Sequence, residues 1–199
     1  YINSCNFDAA RDGASWIMNR PLASGRALRK QDNAWTPQAY AASFRSDPPT
    51  PGASEKLGNG TLYIFDATSF VAYGGGIWSE ALGLQEIGYL YAPSACDGTD
   101  THCPLIVAFH GCEQSLDEIG ETFVRHSGYV ELAEANNLVI LFPQAKGNVL
   151  NPKSCWDWWG YAGTAYASNI GAQTLTVKRM VDALHNGAIT PNSTATFPF

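Results

Sequence analysis

Charge is scarce in this chain. Asp, Glu, Lys and Arg make up 15% of its 199 residues, against roughly a quarter in an average soluble protein. The net charge is −6 and no basic block or stripe occurs, which argues against a nucleic-acid or anionic-membrane partner. Long apolar runs are missing too. The densest, Leu105 to Phe109 and Leu138 to Phe142, are far too short to cross a bilayer. No Cys-x-x-Cys is present, so a zinc ribbon or a thioredoxin-type motif has no basis, and neither a metal nor a cofactor is expected. Nor does a Gly-x-Ser-x-Gly nucleophile elbow occur anywhere. Gly13-Ala14-Ser15-Trp16-Ile17 and Gly52-Ala53-Ser54-Glu55-Lys56 lack the second Gly, and no strand is expected before His126-Ser127-Gly128.

Apolar material is plentiful. Hydrophobic residues are 45% and aromatics 12%, enough to build a core. The length fits one domain over residues 1–199. The chain starts at Tyr1 with no Met, basic segment or apolar signal region, so a processed or partial polypeptide is expected. Asn59-Gly60-Thr61 and Asn192-Ser193-Thr194 are N-glycosylation acceptor triplets and give weak support to secretion. There are five cysteines. Cys96 and Cys103 flank a polar loop that a disulfide could staple. If Cys112 pairs with Cys155, Cys5 is left over, either for a partner outside the chain or as a free buried thiol.

Residues 7–18 read as a helix with Asp8 near its start. The stretch 22–59 has no sustained period and includes Pro48-Pro49-Thr50-Pro51-Gly52; it reads as an irregular insertion. Thr61 to Phe65 and Ile87 to Tyr91 read as strands. Pro104 to Phe109 and Leu138 to Phe142 are continuously apolar, as strands buried on both faces should be. Gly74-Gly75-Gly76 reads as a loop; no Lys-Ser/Thr follows to make it a phosphate cradle. Ser115 to Glu118 matches a capping box, which assigns Asp117, Glu118 and Glu121 to capping and solvation rather than catalysis. Residues 129–136 and 170–185 read as further helices. Buried strands alternating with helices imply an α/β fold with a largely parallel sheet.

Two segments carry chemistry. Leu105 to Cys112 is a strand opening into His110-Gly111, the geometry of an oxyanion-hole loop. Backbone N–H groups there would face a developing negative charge, as acyl transfer requires. Cys155-Trp156-Asp157-Trp158-Trp159 places three Trp in four positions. Part of that cluster belongs in the core; the rest can form an apolar wall for a hydrophobic or carbohydrate ligand.

Ile87-Gly88-Tyr89-Leu90-Tyr91-Ala92-Pro93, Val107 to Ser115, Ala135-Asn136-Asn137-Leu138, Leu141-Phe142-Pro143-Gln144, Asn151-Pro152 and Cys155-Trp156-Asp157-Trp158 resemble the secreted polyhydroxybutyrate depolymerases. The resemblance is strongest over residues 87–160, reaches back to Tyr1 to Asp8 and runs forward to His185. It implies a three-layer α/β-hydrolase-like sheet, circularly permuted, with this chain an incomplete part that follows the catalytic triad. It implies that the Cys112 N–H belongs to the oxyanion hole, that Cys112 and Cys155 form a disulfide, and that Trp156, Trp158 and Trp159 bind substrate. It also gives Cys5 a partner upstream of Tyr1. The triad itself has no counterpart: His110 and His102 sit in loops, and His126 and His185 on helices, where a surface histidine is the usual reading.

Two readings of function follow. In the first, the chain is the oxyanion and substrate-wall portion of a secreted polyester esterase, with the nucleophile on a separate or missing polypeptide. In the second, it is a non-catalytic binding protein that uses the Trp cluster on polyester, lignocellulose or glycan. A feruloyl- or acetyl-esterase is a third option.

Overall fold

The computed structural model describes residues 8–23, 49–72, 80–96 and 102–185. Among these residues five strands form one mixed sheet: β1 (Ser54–Leu57), β2 (Gly60–Asp66), β3 (Ile87–Pro93), β4 (Leu105–Val107) and β5 (Val139–Phe142), in the order β1-β2-β3-β5-β4. Among the described residues the helices are α1 (Ala9–Ile17), the short turns α2 (Leu116–Ile119) and α3 (Thr122–His126), α4 (Tyr129–Asn136) and α5 (Ala172–His185).

Side chains alternate across each strand, and both faces are covered. Leu62, Ile64, Tyr89, Tyr91, Ile140 and Phe142 pack on one face against residues of α1 to α4. Phe65, Leu90 and Leu141 pack on the other against Met180 of α5. Helices on both faces of a central sheet make the fold α/β in three layers.

Strand direction departs from the expectation of a largely parallel sheet. Among the described residues only β4 and β5 run parallel; β1–β2, β2–β3 and β3–β5 are antiparallel. All seven residues of β3 are buried, because a central strand covered on both faces is apolar whichever way it runs. Parallel pairing needs a crossover connection, and the segment from β4 to β5 supplies one in α2 to α4.

Two further expectations change. The stretch 22–59 is not irregular throughout: Ser54–Leu57 is β1, turned into β2 through Gly58-Asn59, with Gly58 at φ +56°, as a two-residue hairpin requires. The run 104–109 is not a strand buried on both faces. β4 lies at a sheet edge and its three residues are half-buried. Cys5, Gly74 to Gly76 and Asn192 lie outside the described residues.

The capping-box reading also fails. Ser115 stands at the N-cap of α2, yet its hydroxyl makes no capping bond and is buried without a partner. Glu118 instead accepts from the Ser154 hydroxyl at 3.1 Å, and Asp117 accepts from Gln85 Nε2 at 2.6 Å. Glu121 is buried, holds Arg125 in an ion pair and accepts from the Tyr89 hydroxyl at 3.1 Å. Glu121 thus ties the connection between β4 and β5 to β3, while Asp117 and Glu118 anchor it to the segments around Gln85 and Ser154.

Candidate active site

β4 ends by extending its ladder one step, with the Ala108 N–H donating to Leu141 O at 2.8 Å. The chain then leaves the sheet through Phe109, His110, Gly111 and Cys112. His110 is 2% exposed. Its Nδ1 lies 2.8 Å from Gly111 O, and its Nε2 accepts the Ala145 N–H at 3.0 Å. Those partners place the proton on Nδ1 and keep the ring neutral; burial pushes its pKa down. His110 is therefore a splint for the loop.

The turn that follows is held from both sides. Gly111 N–H donates to Gln114 Oε1 at 2.9 Å. Glu113 takes φ +59° and its N–H donates to Lys153 O at 2.8 Å. Between them the Cys112 N–H has no acceptor among the described residues. Cys112 is exposed, and its sulfur is bonded to that of Cys155, with Cα atoms 4.2 Å apart. Closing the 43-residue separation restricts the unfolded chain by about 4 kcal/mol on chain-entropy grounds. The second expected disulfide, Cys96–Cys103, is also present.

The Cys155 side of the bridge is fixed by Asn151, which is fully buried. Its Oδ1 accepts the Cys155 N–H at 2.9 Å, and its Nδ2 donates to Cys155 O at 2.7 Å. Trp156 follows, half-buried, its ring edge-to-face with Phe109 at 5.0 Å. Together they wall an apolar pocket of about 330 Å³, completed by Asp157, Tyr166, Gln173 and Val177. Asp157 shapes the far wall. Its Oδ1 accepts from the N–H groups of Trp159, Gly160 and Tyr161, and its Oδ2 from that of Ala162. So the strand end, a backbone donor without an acceptor among the described residues, and an apolar pocket are linked by a covalent bridge.

The poly(3-hydroxybutyrate) depolymerase of Delftia acidovorans is 41% identical over 107 residues, covering 53% of this chain and 21% of that protein. The polyhydroxybutyrate depolymerase of Talaromyces funiculosus is 30% identical over 200 residues, covering 94% of this chain and 48% of that protein. This chain is related to polyhydroxybutyrate depolymerases. Solved structures agree. The depolymerase of Penicillium funiculosum superposes with a TM-score of 0.54 at 32% identity, over 64% of this chain and 42% of that one. A depolymerase carrying a serine-to-alanine substitution, complexed with an R3HB trimer, superposes with a TM-score of 0.64 at 28% identity, over 92% of this chain and 49% of that one. No protein-family model matches the sequence. The chain spans about half the length of the Talaromyces depolymerase and about a fifth of the Delftia one.

The three Trp expected at a depolymerase-like cleft divide. Trp156 lines the pocket. Trp158 and Trp159 are 70% and 42% exposed, stack edge-to-face at 5.2 Å, and do not line it. His102, His126 and His185 are exposed and none of them borders the pocket. Ser115, three residues past Cys112, is fully buried and out of reach of a substrate. Among the described residues no group of three His, Cys, Asp or Glu is placed to hold a metal ion, and no helix is long and apolar enough to cross a membrane.

Sequence reasoning missed Asp157, Tyr161 and Gln173. Asp157 acts by gathering the backbone N–H groups of the turn that follows it, and Tyr161 and Gln173 act through bonds to Cys155 O, Asn151 and Leu82 O, none of which leaves a periodic trace. The apolar run predicts Phe109 as the end of a buried strand; it is instead 51% exposed and lines the pocket.

Proposed function

We propose that this chain is the oxyanion-hole and substrate-binding portion of a secreted serine esterase acting on polyhydroxybutyrate-type polyesters. It forms part of a circularly permuted α/β-hydrolase-like domain. The observation that carries the reading is the unpartnered Cys112 N–H, tethered by the Cys112–Cys155 bridge to the Phe109–Trp156 pocket. In an ester seated there, a serine hydroxyl attacks the carbonyl carbon and charge moves to the carbonyl oxygen. The Cys112 N–H then meets that charge without reorganising, a contribution of about 10²–10³ in rate for one donor. The apolar walls exclude water and hold the acyl methyl groups.

The nucleophile comes from a second segment or polypeptide. Its docking place is the outer edge of β4. Leu105, Ile106 and Val107 are half-buried there with no charge among them, whereas the opposite edge, β1, carries Glu55 and Lys56. Proteins blunt unpaired edges with charge, and β4 is left unblunted for another strand. Trp158 and Trp159 then face the polymer rather than the reacting ester. Asn59, exposed at the β1–β2 turn, and Asn192 are the N-glycan acceptors.

A second reading rests on the exposed Trp158–Trp159 pair, which a non-catalytic binder of polyester or glycan would use. Feruloyl or acetyl esters would fit the same pocket. Titration of the chain with the R-3-hydroxybutyrate trimer, followed by tryptophan fluorescence, separates them. The proposal expects saturable binding that Trp156→Ala abolishes and Trp158→Ala leaves within twofold. Loss with Trp158→Ala alone supports the binder; absence of any binding overturns the pocket assignment.

A further inference from the structure

The Tyr161 hydroxyl sits where three elements of the site meet. It donates to Cys155 O at 2.8 Å. It accepts from Asn151 Nδ2 at 3.0 Å and from Gln173 Nε2, on α5, at 2.7 Å. One donated and two accepted bonds use the whole capacity of a phenol oxygen. The ring is held as well: it packs on Trp159 at 4.8 Å. Its other neighbour is Gly83 at φ +66°, where any Cβ would lie 2.6 Å from the hydroxyl oxygen and 2.7 Å from Cε2. Burial raises the Tyr161 pKa, so the hydroxyl keeps the proton it donates.

We propose that Tyr161 is a positioning residue for the oxyanion donor: it fixes the Cys155 carbonyl and, through the Cys112–Cys155 bridge, the loop that presents the Cys112 N–H. The role in catalysis rests on the oxyanion reading of Cys112; the mechanical coupling does not. Gln173 also accepts the Asp157 N–H at 2.8 Å and donates to Leu82 O at 2.7 Å. Tyr161 thus links the helix that lines the pocket to the turn that holds the charge.

The local bonding separates positioning from folding. Without the hydroxyl, Cys155 O keeps Asn151 Nδ2, Gln173 Nε2 keeps Leu82 O, and Asn151 Nδ2 keeps Cys155 O. No buried partner is orphaned, so Tyr161→Phe should fold and loosen only the bridge.

The test uses the oxidised 199-residue chain and its Tyr161→Phe variant, with Cys96–Cys103 as the internal reference. Tyr166→Phe is the control, because the Tyr166 hydroxyl has no partner among the described residues. Each protein is exposed to dithiothreitol, thiols are trapped by alkylation, and each disulfide is followed by peptide mass. Tyr161→Phe should speed reduction of Cys112–Cys155 about five- to tenfold, the opening expected when one hydrogen bond is lost. Cys96–Cys103 should be unchanged, and Tyr166→Phe should alter neither. Equal rates for Cys112–Cys155 in wild type and Tyr161→Phe overturn the proposal. So does equal acceleration of both bridges, and so does failure of Tyr161→Phe to fold. The readout needs no ester turnover, so a failed esterase reading would remove the catalytic role and leave the mechanical coupling standing.

Discussion

The rings of Phe109 and Trp156 meet edge-to-face, with centroids 5.0 Å apart and planes at 88°. Phe109 leaves β4 and Trp156 follows the Cys155 half-bridge, so this contact joins the two strongest sequence signals in one wall. Such pairs add about 0.5–1.5 kcal/mol beyond the area they bury. Phe109 also lines the pocket, so Phe109→Ala removes both this support and its own apolar contact and should weaken binding of the R-3-hydroxybutyrate trimer about tenfold. Isothermal titration of both proteins checks this. Unchanged affinity would remove Phe109 from the pocket's function.

Glu113 tests whether the turn after β4 stores strain. Its φ of +59° lies in the left-handed region, which glycine adopts freely and β-branched residues resist. Its ion pair with Lys153 at 2.8 Å is exposed, and such pairs contribute little. Glu113→Gly should therefore hold or raise the urea midpoint, and Glu113→Val should lower it. A Glu113→Gly midpoint clearly below that of wild type would make the side chain, not the backbone, the important part.

His110 makes stability depend on pH. Burial holds its folded pKa below the ordinary value, so below the unfolded pKa of about 6.5 the unfolded chain binds the extra proton more readily. Stability from this site is thus fully present above that pH and falls as pH drops below it. The cause is specific: a proton on Nε2 displaces the Ala145 N–H, which that nitrogen accepts at 3.0 Å. Urea midpoints between pH 5.5 and 7.5 should rise with pH, and His110→Gln should remove that part of the slope. An identical slope in His110→Gln contradicts the neutral-ring assignment.

Much of the site was legible, for physical reasons. β3, β5 and the loop after β4 are encoded by apolar runs and by a His-Gly turn, which are local signals. Strand direction was not, because β3 is apolar through burial on both faces rather than through parallel pairing. β1, Ser-Glu-Lys-Leu, is half-exposed and polar, so no apolar pattern marks it. Ser115 and Glu118 have capping-box spacing, but Glu118 reaches Ser154, 36 positions away. The outward turn of Trp158 and Trp159 follows from Asp157, whose carboxylate collects four backbone N–H groups.

Asn59 should carry an N-glycan when the chain is made in a eukaryotic secretory pathway. Its residue is exposed at the hairpin turn, and its N–H is held by Glu134 Oε1 at 2.6 Å. Release by an amidase in heavy-oxygen water, followed by peptide mass, distinguishes an enzymatically released glycan from spontaneous deamidation at Asn59-Gly60. Unmodified Asn59 in the secreted protein would contradict the assignment.

The central claim is that this chain supplies an oxyanion donor and a substrate pocket but no nucleophile. The most direct measurement is hydrolysis of a chromogenic acyl ester by the purified 199-residue chain, with and without a serine-reactive phosphonate. A serine hydroxyl without a base is a weak nucleophile at neutral pH, and Ser115 and Ser154 are both buried. The account predicts no turnover above buffer and no phosphonate adduct, with turnover appearing when a polypeptide bearing the serine and its base is added. Phosphonate-sensitive hydrolysis by the chain alone would contradict it, and the labelled serine would name the nucleophile.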